Sequence, residues 1–580
     1  MNASAQRSWL SSIEGLDASV APGTRHHTLL TTNEPPEGSE ITFVQSVVSK
    51  TDAHLARLNN ETLNVKQKLQ QLKEERALLL TTNVGSELTL IHTDILDVDA
   101  HLACVENKIS KLQERVNQLE EERVSLSSFR TRNIAILSPL RRVPPEVLGE
   151  IFWWTLPSIT NELDWGKFDI SQCPWVLTQI SSRWRTISIS TPSLWSRLVI
   201  DYDPDERPMT RDPSSAYPLS LAMAQIQRAR KLKIHFYGCE KVDSRPQIQL
   251  FQLLSQHSSR WEELSLGLTS WIVPLLAHFR DRRFSSLKKL WITWSSPESQ
   301  TPVSLDYFQT ASSLVDVGVS DTCRTALIGL PVDHLTRYQL EGTWEEHKRI
   351  LKLAHNLVEA RIETDLDENP YSGSVDLLRL RHLYVSDPHL LYHLNAPVLE
   401  GLAFWVARND RAEDDILQPL KSFLDRSTCP LRRLSLRGFP DAHATSNMLQ
   451  TFPFITELAV TIDDSDASKS TNLLMSTLTV SDPQVIGSTV VAPQMRCLFF
   501  GCENQSYIDY RVYLDMLISR WRAEHCALNA AILATEGPGP DSATLDGLHE
   551  LRREGLDLLV LEGEDAGDEM DGWYYATPWN

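Results

Sequence analysis

Leu88, Ile91, Ile95, Val98, Leu102, Val105, Ile109, Leu112, Val116, Leu119, Arg123 and Leu126 follow one another at alternating intervals of three and four residues. Eleven of these twelve are apolar in a chain that is 42% hydrophobic overall. A repeat of 3.5 residues is a helix with one apolar stripe, and such a stripe needs another helix to cover it. Upstream, Leu55, Leu58, Val65, Leu69, Leu72 and Leu79 keep the same spacing, with Thr62 and Arg76 as interruptions. Between the runs, Thr81-Thr82-Asn83-Val84-Gly85-Ser86 supplies a helix stop and a new N-cap. Residues 43–130 are therefore expected to be a coiled coil of two long helices. A parallel homodimer would set Arg76 and Arg123 against their own copies at a desolvated seam, which is costly. An antiparallel hairpin folded at Gly85 avoids this self-pairing and is the expected arrangement. Residues 1–42, with Pro35-Pro36 and no period, read as a disordered tail.

The 580 residues carry 56 Lys and Arg against 76 Asp and Glu, a formal charge of −20. That excess argues against binding to nucleic acid or to an anionic membrane surface, both of which require cationic faces. No segment approaches the ~20 apolar residues of a membrane helix, and the first 30 residues hold Glu14 and Asp17 without an apolar leader. The eight cysteines are sparse and have no metal-site spacing. Reduced thiols in a cytoplasmic or nuclear protein are expected.

Residues 136–200 change character. In Pro144-Pro145-Glu146-Val147-Leu148-Gly149-Glu150-Ile151-Phe152, Pro145 suits a first helical turn and Glu146 complements its N-terminus. Val147, Leu148, Ile151 and Phe152 then form one stripe. A second helix is expected over Trp175–Ile187, with Leu177, Ile180, Trp184 and Ile187 on its apolar side. Thr191-Pro192-Ser193-Leu194-Trp195 makes a turn into a strand-like Leu198-Val199-Ile200.

The order Pro144-x-Glu146-x-Leu148-x-x-Ile151-Phe152, Arg183-Trp184-Arg185 and Thr191-Pro192-x-Leu194-Trp195 resembles the F-box, specifically the F-box-like domains abundant in mushroom-forming fungi. Two features depart from it: Ser181 or Ser182 replaces the usual Cys, and residues 156–174 form a long insert. The resemblance implies a SKP-type adaptor as partner and, through it, a cullin ubiquitin ligase. Pro144, Pro145, Glu146, Val147, Leu148, Ile151 and Phe152 would meet the adaptor, and Leu177, Ile180, Trp184, Leu194 and Trp195 would form the domain core.

From residue 200 onward an L-x-x-L-x-L pattern recurs, centred on Leu264, Leu290, Val317, Tyr338, Ala360, Leu383, Leu402, Leu434, Leu458 and Leu498. Most intervals lie in or near the 20–29 residues of a leucine-rich repeat. Strand-like runs at Leu232-Lys233-Ile234 and Leu556–Val560 would cap the array. Thr269, Pro388, Phe439 and Asp463 stand where such repeats carry a ladder Asn, so residues 201–560 are expected to form an irregular leucine-rich-repeat-like solenoid. A mixed α/β globule is the alternative. Alternation in a strand would put Trp291, Arg361, Tyr384, Trp405 and Arg437 on the face away from the core, a candidate target-binding surface. Residues 561–580, acidic and ending in Trp573, Tyr574, Tyr575 and Trp579, read as a disordered tail.

No phosphate loop, dinucleotide fingerprint, HExxH or GxSxG occurs. His389 and His393 stand four apart without a third ligand, and the acidic clusters at Asp365-Leu366-Asp367-Glu368 and Asp463-Asp464-Ser465-Asp466 lack the glycine and closing glutamate of a calcium loop. No enzyme and no cofactor are expected. The expected fold is multidomain, α then α/β: a long helical coiled-coil hairpin, a small helical F-box module and an irregular repeat solenoid. The expected function is a non-catalytic substrate receptor of a SKP-cullin-F-box ubiquitin ligase, its repeats gripping a protein target. The alternative is a coiled-coil scaffold whose F-box-like module only packs.

Overall fold

The computed structural model describes residues 21–85, 92–156, 170–202, 218–279, 283–294, 306–321, 330–364, 373–406, 417–438, 441–463, 465–480, 490–503 and 507–574. They form two compact units, one reaching Leu156 and resuming over Ile170–Thr191, the other starting at Pro192.

In the first unit, helix α1 (Arg25–Thr31) precedes two long helices, α2 (Gly38–Gly85, 48 residues) and α3 (His92–Ile136, 45 residues). Ion pairs between α2 and α3 run in opposite directions along the chain. Asp52 meets Arg130, Glu61 meets Arg115 at 2.7 Å, Lys66 meets Glu120 at 2.6 Å, and Arg76 meets Glu106 at 2.9 Å. The helices are thus antiparallel within one chain. Val47, Leu58, Leu119, Leu126 and Phe129 form a buried cluster between them. Thr62, which interrupts the stripe, is buried but donates its hydroxyl to the Leu58 carbonyl at 2.7 Å. Arg76 and Arg123 are exposed, so no charge is trapped at the seam. The side chains of Leu88, Ile91, Ile95 and Val98 lie outside the described residues.

The segment read as a disordered tail is ordered from α1 onward. Thr24 caps α1 by accepting from the His27 amide at 3.2 Å, and Leu29 is buried. His26 Nε2 lies 2.8 Å from Asn133 Oδ1 on α3, and Arg141 donates to the Leu29 carbonyl at 2.7 Å. A seven-residue helix is too short to show a period, which is why its sequence reads as tail. Residues 1–20 lie outside the described residues.

The second unit is built on one parallel sheet whose strands follow chain order. They are β1 (Arg197–Asp201), β2 (Leu232–Tyr237), β3 (Trp261–Gly267), β4 (Lys289–Trp294), β5 (Asp316–Asp321), β6 (Arg337–Glu341), β7 (Glu359–Glu363), β8 (His382–Val385), β9 (Gly401–Val406), β10 (Arg433–Gly438), β11 (Glu457–Ile462), β12 (Cys497–Cys502), β13 (Ala530–Thr535) and β14 (Asp557–Glu562). A short pair, Val375–Asp376 with Leu394–Asn395, stands apart from it. Parallel neighbours in sequential order mean that each strand is laid beside the one before it and the chain returns to the same end of the sheet to start the next.

The register follows the apolar repeat. Leu264, Leu290, Val317, Tyr338, Ala360, Leu383, Leu402, Leu434, Leu458 and Leu498 are successive partners across nine strand pairings. All ten are buried. Helices cover this core face. Phe251 of Ser244–Ser255 meets Phe236 at 5.3 Å between ring centroids, and Tyr513 of Tyr510–Trp521 meets Phe500 at 5.6 Å.

In place of a repeated Asn ladder, separate turns carry separate polar staples. The Gln247 amide accepts from the Cys239 amide at 3.1 Å and donates to the Cys239 carbonyl at 2.9 Å. Fully buried His347 bridges the Tyr338 hydroxyl at 3.0 Å and the Glu363 carbonyl at 3.1 Å. Arg520 donates to the Leu478 carbonyl at 2.7 Å and the Ala492 carbonyl at 3.0 Å. Each satisfies backbone groups that the irregular turns leave buried.

The opposite face carries a ladder of charge. Arg197, Lys233, Glu263, Lys289, Asp316, Arg337, Glu359, His382, Gly401, Arg433 and Glu457 are consecutive register partners. From Lys233 to Glu359 the signs alternate. Neighbouring strands lie about 4.8 Å apart, so alternation favours attraction between neighbours, as in Lys233–Glu263 at 2.7 Å and Arg337–Glu359 at 3.5 Å; beyond that stretch Arg433 meets Glu457 at 2.9 Å. Burial pushes the Asp316 carboxyl up to about 6, while Arg337, 3.8 Å away, pulls it back.

Candidate protein-interaction faces

Two faces follow from the sequence reading, one on each unit. On the first unit, helix α4 (Pro145–Trp153) starts with Pro145 in its first turn and Glu146 beside its N-terminus. Its stripe is split. Leu148 and Phe152 are each 1% exposed, and Phe152 packs on Trp184 with ring centroids 4.7 Å apart. Val147 is 48% exposed, Ile151 44% and Trp154 78%; Pro144, Pro145, Glu146 and Trp153 are exposed as well. Leu148 and Phe152 therefore belong to the core of this module and are corrected from the partner-facing set. Pro144, Pro145, Glu146, Val147 and Ile151 remain on its accessible side, where the sequence reading had not included Trp153 and Trp154.

The second helix of the module is broken. A single turn, α5 (Leu177–Ile180), ends at Ser181, whose extended backbone and hydroxyl cap α6 (Ser182–Ser190) by accepting from the Trp184 amide at 3.1 Å. The break turns Ile180 outward, to 50% exposure, so it is not a core residue as expected; Leu177 is buried and Trp184 half-buried. Arg183 has a role that the sequence reading did not assign. Its guanidinium donates to the Leu140 carbonyl at 3.2 Å, to the Arg141 carbonyl at 2.7 Å and to the Val143 carbonyl. It thereby fixes the turn from which α4 departs.

Leu194 and Trp195 are buried in the second unit rather than in this module. They lie in the turn Pro192–Trp195 leading into β1, and the Arg228 guanidinium stacks 4.3 Å from the Trp195 ring centroid. Residues 157–169, most of the insert, lie outside the described residues.

On the second unit, the residues chosen for a target surface share the ladder face. Trp291, Gly318, Gln339, Arg361 and Tyr384 are successive register partners in one row, and Trp405 and Arg437 are partners in the next. Arg361 stacks 5.2 Å from the Tyr384 ring centroid and pairs with Glu363; Arg437 pairs with Glu503. Tyr384 is 7% exposed, so its ring is a packed part of the face, while Trp291, Arg361, Trp405 and Arg437 are half-buried.

The acidic segment after β14 is not a loose tail as far as Tyr574. Helix Glu564–Tyr574 lies on the ladder face, where Ala566, Met570 and Trp573 pack with Ala459, Phe499 and Ala534. Residues 575–580 lie outside the described residues.

His389 and His393 sit in a 3-10 stretch, Pro388–His393, where a spacing of four does not bring two side chains together as on an α-helix. His389 Nδ1 lies 2.9 Å from Asp387, and His393 Nδ1 lies 2.8 Å from the Gly373 carbonyl. Cys497 and Cys502, five apart on β12, point to opposite faces, and both are free thiols. Asp365, Asp367 and Glu368 lie outside the described residues. No helix among the described residues is long and apolar enough to cross a membrane.

No family model matches the chain, and no curated protein matches it.

Proposed function

We propose that the protein is a non-catalytic substrate receptor of a SKP-cullin-F-box ubiquitin ligase, with the accessible side of α4 docking on a SKP-type adaptor. The observation that carries this reading is the split stripe of α4. Val147 and Ile151 remain exposed beside Trp153 and Trp154 while the same helix is anchored through Leu148 and Phe152. An isolated exposed apolar residue is ordinary, but Val147, Ile151 and Trp153 on one short helix, with Trp154 at its C-cap, concentrate exposed apolar surface of the kind that marks a partner face. Helix-in-groove docking uses such a patch, with a few aliphatic or aromatic anchors dominating affinity. The ordered motif that resembles the F-box supplies the adaptor's identity. The helix pair is read as a coiled-coil hairpin that extends the module, and the solenoid as leucine-rich-repeat-like and target-binding. A cytoplasmic or nuclear location goes with this reading.

The scaffold alternative is weaker. It needs an apolar stripe left open for an outside partner, and among the described residues Leu58 of α2 packs in one cluster with Leu119 and Leu126 of α3. Adaptor pulldown with the full chain tests the proposal. The wild type recovers the adaptor, and the chain with Val147→Asp and Ile151→Asp recovers none while keeping its thermal transition. Recovery that survives both substitutions would sink the reading.

A further inference from the structure

The chain leaves β14 through Gly563, at φ +65, and turns helix Glu564–Tyr574 across the ladder face. Ala566, Met570 and Trp573 fall four and three residues apart, so they share one side of that helix. The sheet receives them in a trough of small residues: Ala459, Gly501 and Ala534. A Cβ on Gly501 would stand 2.6 Å from Met570 Sδ, so glycine is the residue that leaves room for the methionine. Trp573 is clamped on three sides. Phe499 lies 5.1 Å away between ring centroids, the Arg433 guanidinium lies 4.3 Å from its ring, and the Ser435 hydroxyl donates to its carbonyl at 2.9 Å.

The helix is unlike the crossover helices. Those bury the core face, as Tyr513 does against Phe500, whereas this one touches the sheet from the other side. It carries Glu564, Asp565, Asp568, Glu569 and Asp571 and no Lys or Arg. Desolvation raises the Asp571 pKa, and the nearby Arg437 and Arg361 offset that only in part. Three anchors on one side and an aromatic clamp are how a groove holds a bound helix.

We propose that this trough is the solenoid's protein-binding site, that its partner is an acidic amphipathic helix with a small residue, a long unbranched apolar residue and an aromatic at i, i+4 and i+7, and that Glu564–Tyr574 occupies the site as a built-in competitor. The proposal rests on reading the solenoid as target-binding and is independent of the adaptor.

The probe is a fluorescent peptide with the sequence of residues 562–575, titrated without adaptor into the full chain and into the full chain with Met570→Ala and Trp573→Ala. Weakening the resident helix frees the trough, so the double variant binds the peptide at least tenfold more tightly than the wild type. Gly501→Val, added to the double variant, removes that gain, and a peptide bearing the same two alanines binds neither chain. Equal binding to wild type and double variant, or binding unaffected by Gly501→Val, overturns the proposal. Loss of cooperative thermal unfolding in the double variant overturns it too, because the helix would then be part of the fold. Adaptor recovery depends on α4 and not on this trough, so either reading can fail without the other.

Discussion

Phe152 and Trp184 meet with ring centroids 4.7 Å apart and planes tilted by 48°, and this contact sets the rotation of α4 about its axis. Phe152 is held inward, so Val147 and Ile151 on the other part of the stripe are held outward. Phe152→Ala deletes a buried ring and is expected to cost about 3–5 kcal/mol. Ile151→Ser, at an exposed site, should stay within about 0.5 kcal/mol. Urea unfolding of the full chain, followed on the transition that reports the first unit, measures both. Equal losses would show that α4 is rotated otherwise.

Arg183 joins carbonyls of Leu140, Arg141 and Val143 to the start of α6. A planar fork reaches several acceptors at once, and an ammonium on a flexible stem does not. Arg183→Lys should therefore lose most of what Arg183→Ala loses, about 2 kcal/mol from charge-assisted hydrogen bonds. A lysine variant as stable as the wild type would remove the staple from the account.

Leu58 on α2 and Leu119 on α3 belong to one buried cluster. Each alanine substitution should cost about 2–5 kcal/mol, and the pair should be non-additive by about 0.5 kcal/mol or more, as expected for residues sharing a cavity. A double-mutant cycle by thermal or urea unfolding checks this. Full additivity would mean that the two helices do not pair in the antiparallel register described.

Burial holds His347 neutral and lowers its pKa to about 4. The unfolded chain keeps an ordinary value of about 6.5, so below that pH the unfolded state takes up the proton first. The stability tied to neutral His347 is present above about pH 6.5 and is lost as pH falls toward 4. His347→Gln removes this dependence. Between pH 7 and pH 5 the wild type should lose about 2 kcal/mol more than the variant, measured as the difference between their urea midpoints. Parallel pH profiles would contradict it.

Much of the sheet is legible in the sequence because its core row is apolar at every turn. The ten positions Leu264 to Leu498 mark both the strands and their register. The charge ladder is legible by the same alignment, as the residue just before each of those positions, but its members are dispersed along the chain and only the folded register brings them together. Strand β13 escapes the pattern because Ala531 stands at the central position that a larger residue holds in most other strands. Ala534 is small because a helix lies on it. That helix is hidden by its acidic composition, although Ala566, Met570 and Trp573 carry a helical period. At α4, four apolar residues share one stripe, and no local rule says which half is buried; a contact from Trp184, on a different helix, decides it. The outward turn of Ile180 is signalled by Ser181, a strong N-cap that starts a new helix.

The central claim, that the exposed half of α4 is the adaptor face, is tested most directly by titrating purified SKP-type adaptor into the full chain and measuring Kd by calorimetry. Saturable binding is expected, weakened at least thirtyfold by Ile151→Asp, about 2 kcal/mol for one interface anchor. Leu58→Ala, far along the helix pair, leaves Kd unchanged. An Ile151→Asp chain that stays folded and binds the adaptor like the wild type would contradict it.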